Sequence, residues 1–106
     1  MNKYCIISTA IDDETVAEKI IDELLRKRLV SSVQKKEIIS SYWWNGKIEK
    51  NKEFLLQMKT KKLLYKEVEA EIQRLHTYEV PEIFSVDMED GITCYLEWIE
   101  KETKNR

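Results

Sequence analysis

Ile38-Ile39-Ser40-Ser41-Tyr42-Trp43-Trp44-Asn45-Gly46-Lys47-Ile48-Glu49-Lys50 decides the fold of this chain. From about Ser31 to Trp44 the side chains alternate. Ile38, Ser40, Tyr42 and Trp44 share one face, and Ile39, Ser41 and Trp43 share the other, which is the period of a strand. Asn45-Gly46 follows, and because both residues tolerate positive φ it is the strongest short-range hairpin signal. Lys47 to Lys50 returns as the partner strand. Phe54 to Lys59 continues it after a polar break.

Working outward, Tyr4 to Ala10 is a nearly continuous apolar run, which reads as a buried strand. Asp12 and Asp13 offer helix N-caps, with Glu14 and Glu18 near the positive end of the helix dipole. Val16, Ile20 and Leu24, and again Ala17, Ile21 and Leu25, recur at helical spacing, and Arg26-Lys27-Arg28 closes that helix. A second helix is predicted from about Lys61 to His76, with Leu64, Val68, Ile72 and Leu75 as its buried stripe. Val80 to Met88 reads as a strand that begins at a proline, where a missing N–H is tolerated. After Glu89-Asp90-Gly91 a short helix carries Tyr95, Leu96, Trp98 and Ile99, and Lys101 to Arg106 is predicted to fray. The order predicts an α+β, ferredoxin-like βαββαβ sandwich: one antiparallel sheet, two helices on one face and a short C-terminal helix.

A chain of 106 residues makes one domain, here taken as residues 1–106. Its net charge of −2 argues against nucleic acid as a partner. The basic runs Arg26-Lys27-Arg28 and Lys59, Lys61 and Lys62 read as solvated faces. Cys5 and Cys94 are far apart and form no CxxC or Cys/His pattern, so neither a disulfide framework nor a structural zinc site is expected. The start lacks a signal-peptide apolar region, and no run is long enough to span a membrane. A cytoplasmic protein with no membrane partner is the expectation.

The only histidine and the only proline lie in His76-Thr77-Tyr78-Glu79-Val80-Pro81-Glu82, at a helix–strand junction. Such junctions hold side chains rigidly and commonly carry sites. His76, Glu79 and Glu82 offer one nitrogen and two carboxylates, a donor set suited to copper(II) or zinc. The same carboxylates have an alternative use in salt bridges to Lys59, Lys61 or Arg74, and His76 has one as a structural residue of the junction. Catalysis is not expected: Cys5 and Cys94 sit in apolar settings, and a single histidine leaves no room for a His-paired thiol plus a separate site. With Gly46 and Gly91 as the only glycines there is no phosphate loop, and the first strand lacks the aromatics of an RNA-binding sheet. Trp43 and Trp44 point to opposite faces, so both cannot enter one core, and the aromatic hairpin is predicted to be buried against another subunit.

Ser40-Ser41-Tyr42-Trp43-Trp44-Asn45-Gly46-Lys47 resembles the Ser-x-Tyr-x-Trp-x-Gly-Lys segment of the CutA divalent-cation tolerance family. Leu75-His76-Thr77-Tyr78-Glu79-Val80-Pro81-Glu82 is similar to that family's Leu-His-Pro-Tyr-Glu-Val-Pro-Glu segment. Ser8-Thr9-Ala10, Glu53 to Thr60, and Gly91 with Tyr95-Leu96-Glu97-Trp98 fit it as well, in order and spacing over nearly the whole chain. The resemblance implies a homotrimer of ferredoxin-like protomers, with the hairpin reaching onto a neighbour, and a role in tolerance or response to divalent metals, copper especially, by weak binding or signalling. Tyr42, Trp43, Trp44 and Trp98 are then the assembly residues, and His76, Glu79 and Glu82 the metal candidates. Tyr42, Trp44, Lys59 and Tyr78, with the metal candidates, are candidates for lining an intersubunit cleft. Such a cleft suits a trimeric small-metabolite sensor, or these residues serve a scaffold that needs no metal. No cofactor is required beyond Cu(II) or another divalent cation. The chain departs from its relatives at Ser8 and Ser31-Ser32, where some have cysteine, at Leu75, where some have a second histidine, at Thr77 and at Lys36-Glu37.

Overall fold

Ile7, Ile11, Leu56 and Met58 have no solvent exposure, and their alternation along two neighbouring strands sets the inner face of the sheet. The structure, a computed structural model, describes residues 3–105; Met1, Asn2 and Arg106, part of the expected domain and of its frayed end, lie outside the described residues. The elements are β1 (Tyr4–Ile11), α1 (Glu14–Arg26), β2 (Ser32–Trp44), β3 (Lys47–Lys61), α2 (Tyr65–Leu75), β4 (Ile83–Asp87) and α3 (Thr93–Glu102). The strands form one antiparallel sheet in the order β2-β3-β1-β4. This is the ferredoxin-like arrangement expected from the element order.

Cys5, Ile7 and Ile11 of β1 and Phe54, Leu56 and Met58 of β3 pack against Ala17, Ile20 and Leu24 of α1 and Val68 and Ile72 of α2. The Asp13 carboxylate caps α1 by accepting from the Val16 N–H at 3.2 Å. The other end of α1 is a Schellman motif: the Leu29 N–H donates to Leu24 O, the Arg28 N–H to Leu25 O, and Arg28 takes a left-handed φ of 59°. Asn45 (φ 52°) and Gly46 (φ 77°) make the hairpin turn as expected.

Several boundaries differ from the sequence reading. β3 is continuous, because Asn51, Lys52 and Glu53 stay in register with Ser40, Ile39 and Ile38; ladder hydrogen bonds do not depend on side-chain polarity. Lys61 ends β3 rather than starting a helix, and Lys62–Leu64 form a 3-10 turn before α2. Pro81 precedes β4 instead of opening it. The C-terminal segment is not frayed through Lys104. The Lys104 N–H donates to Arg28 O at 2.8 Å, the Lys104 ammonium pairs with Glu67, and Thr103 is buried. Arg26, Lys27, Arg28 and Lys62 lie on exposed faces as expected, the last three in surface ion pairs with Glu71, Glu102 and Asp87, but Lys61 is 4% exposed and pairs with Glu100.

Two features position the site. Tyr4 and Lys61 point away from α1 and α2, and both donate to the Glu100 carboxylate (3.0 and 3.1 Å), so α3 meets the outer face of the sheet where β1 begins. At the opposite end β1 stops at Ile11, paired with Phe54, so Lys47 to Glu53 pair with β2 alone. That free stretch of hairpin leaves Ile39, Trp43 and Ile48 at 66%, 72% and 68% exposure.

Candidate functional site

The loop from His76 to Glu82 is tied to this open end of the sheet by two side chains. His76 follows α2, and its backbone N–H donates to Ile72 O at 2.8 Å. Its ring is engaged at both nitrogens. The Tyr78 N–H donates to Nδ1 at 3.1 Å, and Nε2 lies 2.8 Å from Ala10 O. A carbonyl only accepts, so the hydrogen-bond pattern assigns the proton to Nε2. Tyr78 sets its ring edge-on to His76, with 4.6 Å between centroids, and its hydroxyl donates to Glu53 Oε2 at 2.7 Å. Glu53 is only 5% exposed. Burial and then the Glu53 carboxylate push the Tyr78 phenol well above its ordinary value, so it remains a hydrogen-bond donor.

Glu53, Ser40, Tyr42 and Trp44 belong to the outer face of the hairpin by strand alternation, and the Asn51 amide donates to the Tyr42 hydroxyl. Between this face and the loop lies an open cavity of about 650 Å³. Its wall includes Tyr42, Trp43, Trp44 and Tyr78, and four acidic side chains: Asp12, Glu53, Glu79 and Glu82.

The structure thus brings together Tyr42, Trp44 and Tyr78 of the expected cleft, with Glu79 and Glu82. It does not bring Lys59, which lies six residues further along β3, opposite Ser32, and donates to Gln34. Trp98 is elsewhere too, stacked on Tyr95 within α3 at 5.9 Å. His76 stands outside the cavity wall, both ring nitrogens committed. Among the described residues no three His, Cys, Asp or Glu side chains gather closely enough to hold one metal ion, so His76, Glu79 and Glu82 are not a ligand set within a single chain. The alternative pairing of Glu79 and Glu82 is not formed either: Lys61 pairs with Glu100, and Arg74 with Glu71 and Glu23.

Glu53 and Asp12 are the acidic wall residues that sequence reading passed over. Counting by twos from Tyr42 and its partner Glu49 reaches Glu53 on the same face, but the polar break hid that continuity. Of the two thiols, Cys5 is buried, and desolvation raises it to about 11, which makes it inert. Cys94 is exposed, not in the apolar setting expected of it.

The family model described as CutA1 divalent ion tolerance protein matches residues 5–102. The divalent-cation tolerance protein CutA of Pyrococcus horikoshii is 39% identical over 99 residues, 93% of this chain and 97% of that one. A crystal structure of CutA1 from the same organism superposes with a TM-score of 0.92 at 39% identity, covering 95% of this chain and 99% of the other. A periplasmic divalent cation tolerance protein CutA from Archaeoglobus fulgidus also superposes with a TM-score of 0.92, at 33% identity and the same coverage.

Proposed function

Because the chain belongs to the CutA1 divalent ion tolerance family, we propose that it is a non-enzymatic divalent-cation tolerance protein that works as a cytoplasmic homotrimer, with copper(II) the leading cation. The match over residues 5–102 carries this reading. The unpaired end of the hairpin supports assembly: exposed Ile39, Trp43 and Ile48 form an apolar surface that a second copy covers. Both cysteines are free, in keeping with a reducing compartment.

The donor chemistry limits how a cation is held. The Nδ1 lone pair of His76 accepts from Tyr78, and its Nε2 carries the proton donated to Ala10. The single-chain residues therefore do not fit a histidine-centred site. A cation is taken weakly by Glu79 and Glu82, with any further donors drawn from another copy, while His76 holds the loop that presents them. The role in this reading is by binding or signalling.

The test is growth of a copper-sensitive host lacking its own CutA. Expression of this chain should restore growth in elevated copper(II), and Glu79→Gln with Glu82→Gln should lose the rescue. Failure of the unaltered chain to rescue, despite soluble expression, contradicts the reading.

A second reading, a small-molecule sensor, is favoured by the cavity itself, whose volume falls in the range of ordinary ligand sites.

A further inference from the structure

We propose that the cavity between the hairpin and the His76–Glu82 loop binds a small organic ammonium cation. This names the ligand class for the sensor reading and does not depend on metal tolerance.

The wall carries four carboxylates, Asp12, Glu53, Glu79 and Glu82, and none of the chain's Lys or Arg residues. Elsewhere the carboxylates are largely neutralised: Glu14 and Glu18 by Lys35, Glu71 by Arg74 and Lys27, Glu100 by Lys61. No ion pair is formed by any of the four wall carboxylates among the described residues. Glu53 is the sharpest case. It is 5% exposed, its Oε2 accepts from the Tyr78 hydroxyl, and no cationic side chain pairs with it among the described residues. A charge held out of water without a cation is costly, and the cavity is where a counter-charge can enter.

The kind of cation follows from spacing and from the other half of the wall. A divalent metal needs oxygen donors about 2.0–2.6 Å from one point, and no three such groups converge here among the described residues. Spread carboxylates suit a cation whose charge is spread over a larger body. Tyr42, Trp44 and Tyr78 supply aromatic surface beside them. Trp and Tyr rings attract ammonium groups through their π faces and tolerate the attached alkyl carbon, which a hydrated metal ion cannot exploit. The Asn51 amide orients the Tyr42 hydroxyl and the Tyr78–Glu53 bond fixes the deep carboxylate, so the wall is organised before a ligand arrives.

The test is calorimetric titration of the native assembly with tetramethylammonium chloride. Sodium chloride at equal ionic strength and tert-butanol, a neutral solute of similar shape, serve as controls. Saturable binding of the cation is expected, with neither control binding. Glu53→Gln should weaken it about tenfold and Trp44→Ala about three- to thirtyfold. Glu82→Gln, at an exposed position, gives a charge-removing variant should Glu53→Gln fail to fold; it should weaken binding several-fold. No saturable binding, equal binding of tert-butanol, or affinity unchanged in Glu82→Gln and Trp44→Ala would overturn the proposal. So would zinc(II) or copper(II) occupying the cavity at a Glu53-dependent site while the ammonium does not. Loss of copper rescue with ammonium binding intact removes the tolerance reading and leaves this one standing.

Discussion

His76 Nε2 lies 2.8 Å from Ala10 O, joining residues 66 positions apart and fastening the loop after α2 to the end of β1. The other ring nitrogen receives the Tyr78 N–H, so one imidazole sets both the position of the loop and the direction of its next aromatic. This makes His76 a structural residue whose loss is felt in folding. His76→Ala should lower stability by about 1–2 kcal/mol, since it strands a carbonyl and an amide. His76→Gln, which keeps a donor, should cost less. Urea unfolding followed by circular dichroism measures both, and an unchanged midpoint for His76→Ala would show that the two bonds contribute nothing.

Among the described residues the Tyr78 hydroxyl is the one side-chain partner of the buried Glu53 carboxylate. Tyr78→Phe therefore removes a donor and leaves a charge in a poorly solvated place, at an expected cost of about 1–3 kcal/mol. Adding Glu53→Gln to Tyr78→Phe should recover much of that loss, because an amide is cheaper to bury than a carboxylate. Thermal unfolding of the single and double variants decides it, and strictly additive losses would count against the coupling.

Acid should loosen the end of the molecule held by α3. The hydrogen bond from Lys61 holds the Glu100 carboxyl below its ordinary 4.5, and the bond from Arg74, followed by that from Lys27, lowers Glu71. A carboxyl with a depressed folded-state value stabilises the fold above its unfolded value, and that contribution is lost as pH falls through the folded value. Stability should thus be flat near neutrality and decline below about pH 4.5. Glu100→Gln should remove part of that decline while lowering stability at pH 7, because it takes the anion from a nearly buried Lys61. Melting temperatures across the acid range check the slope, and an unaltered profile in Glu100→Gln would contradict the assignment.

Strand and helix identities were legible because period and turn chemistry agreed: alternation through Trp44, Asn45-Gly46 at the turn, and helical spacing at Ala17, Ile20 and Leu24. The polar residues Asn51, Lys52 and Glu53 misled because composition suggested a break where the partner strand enforced continuity. The end of α1 at a left-handed Arg28 carries no glycine to announce it. The site was half legible. Tyr42, Trp44, Tyr78, Glu79 and Glu82 do converge, but a motif places residues in sequence and cannot show whether a ring nitrogen is already used, as in His76. Lys59 lies six positions along β3 from Glu53, away from the cavity wall of the single chain.

The proposed assembly rests on the hairpin, whose end from Lys47 to Glu53 has β2 as its only strand partner among the described residues. The mass of the protein in solution tests it most directly. Multi-angle light scattering at micromolar concentration should give three times the 12.7 kDa chain mass, independent of dilution over that range. Trp43→Asp should lower it, with circular dichroism unchanged. A mass of one chain for the unaltered protein would contradict the account.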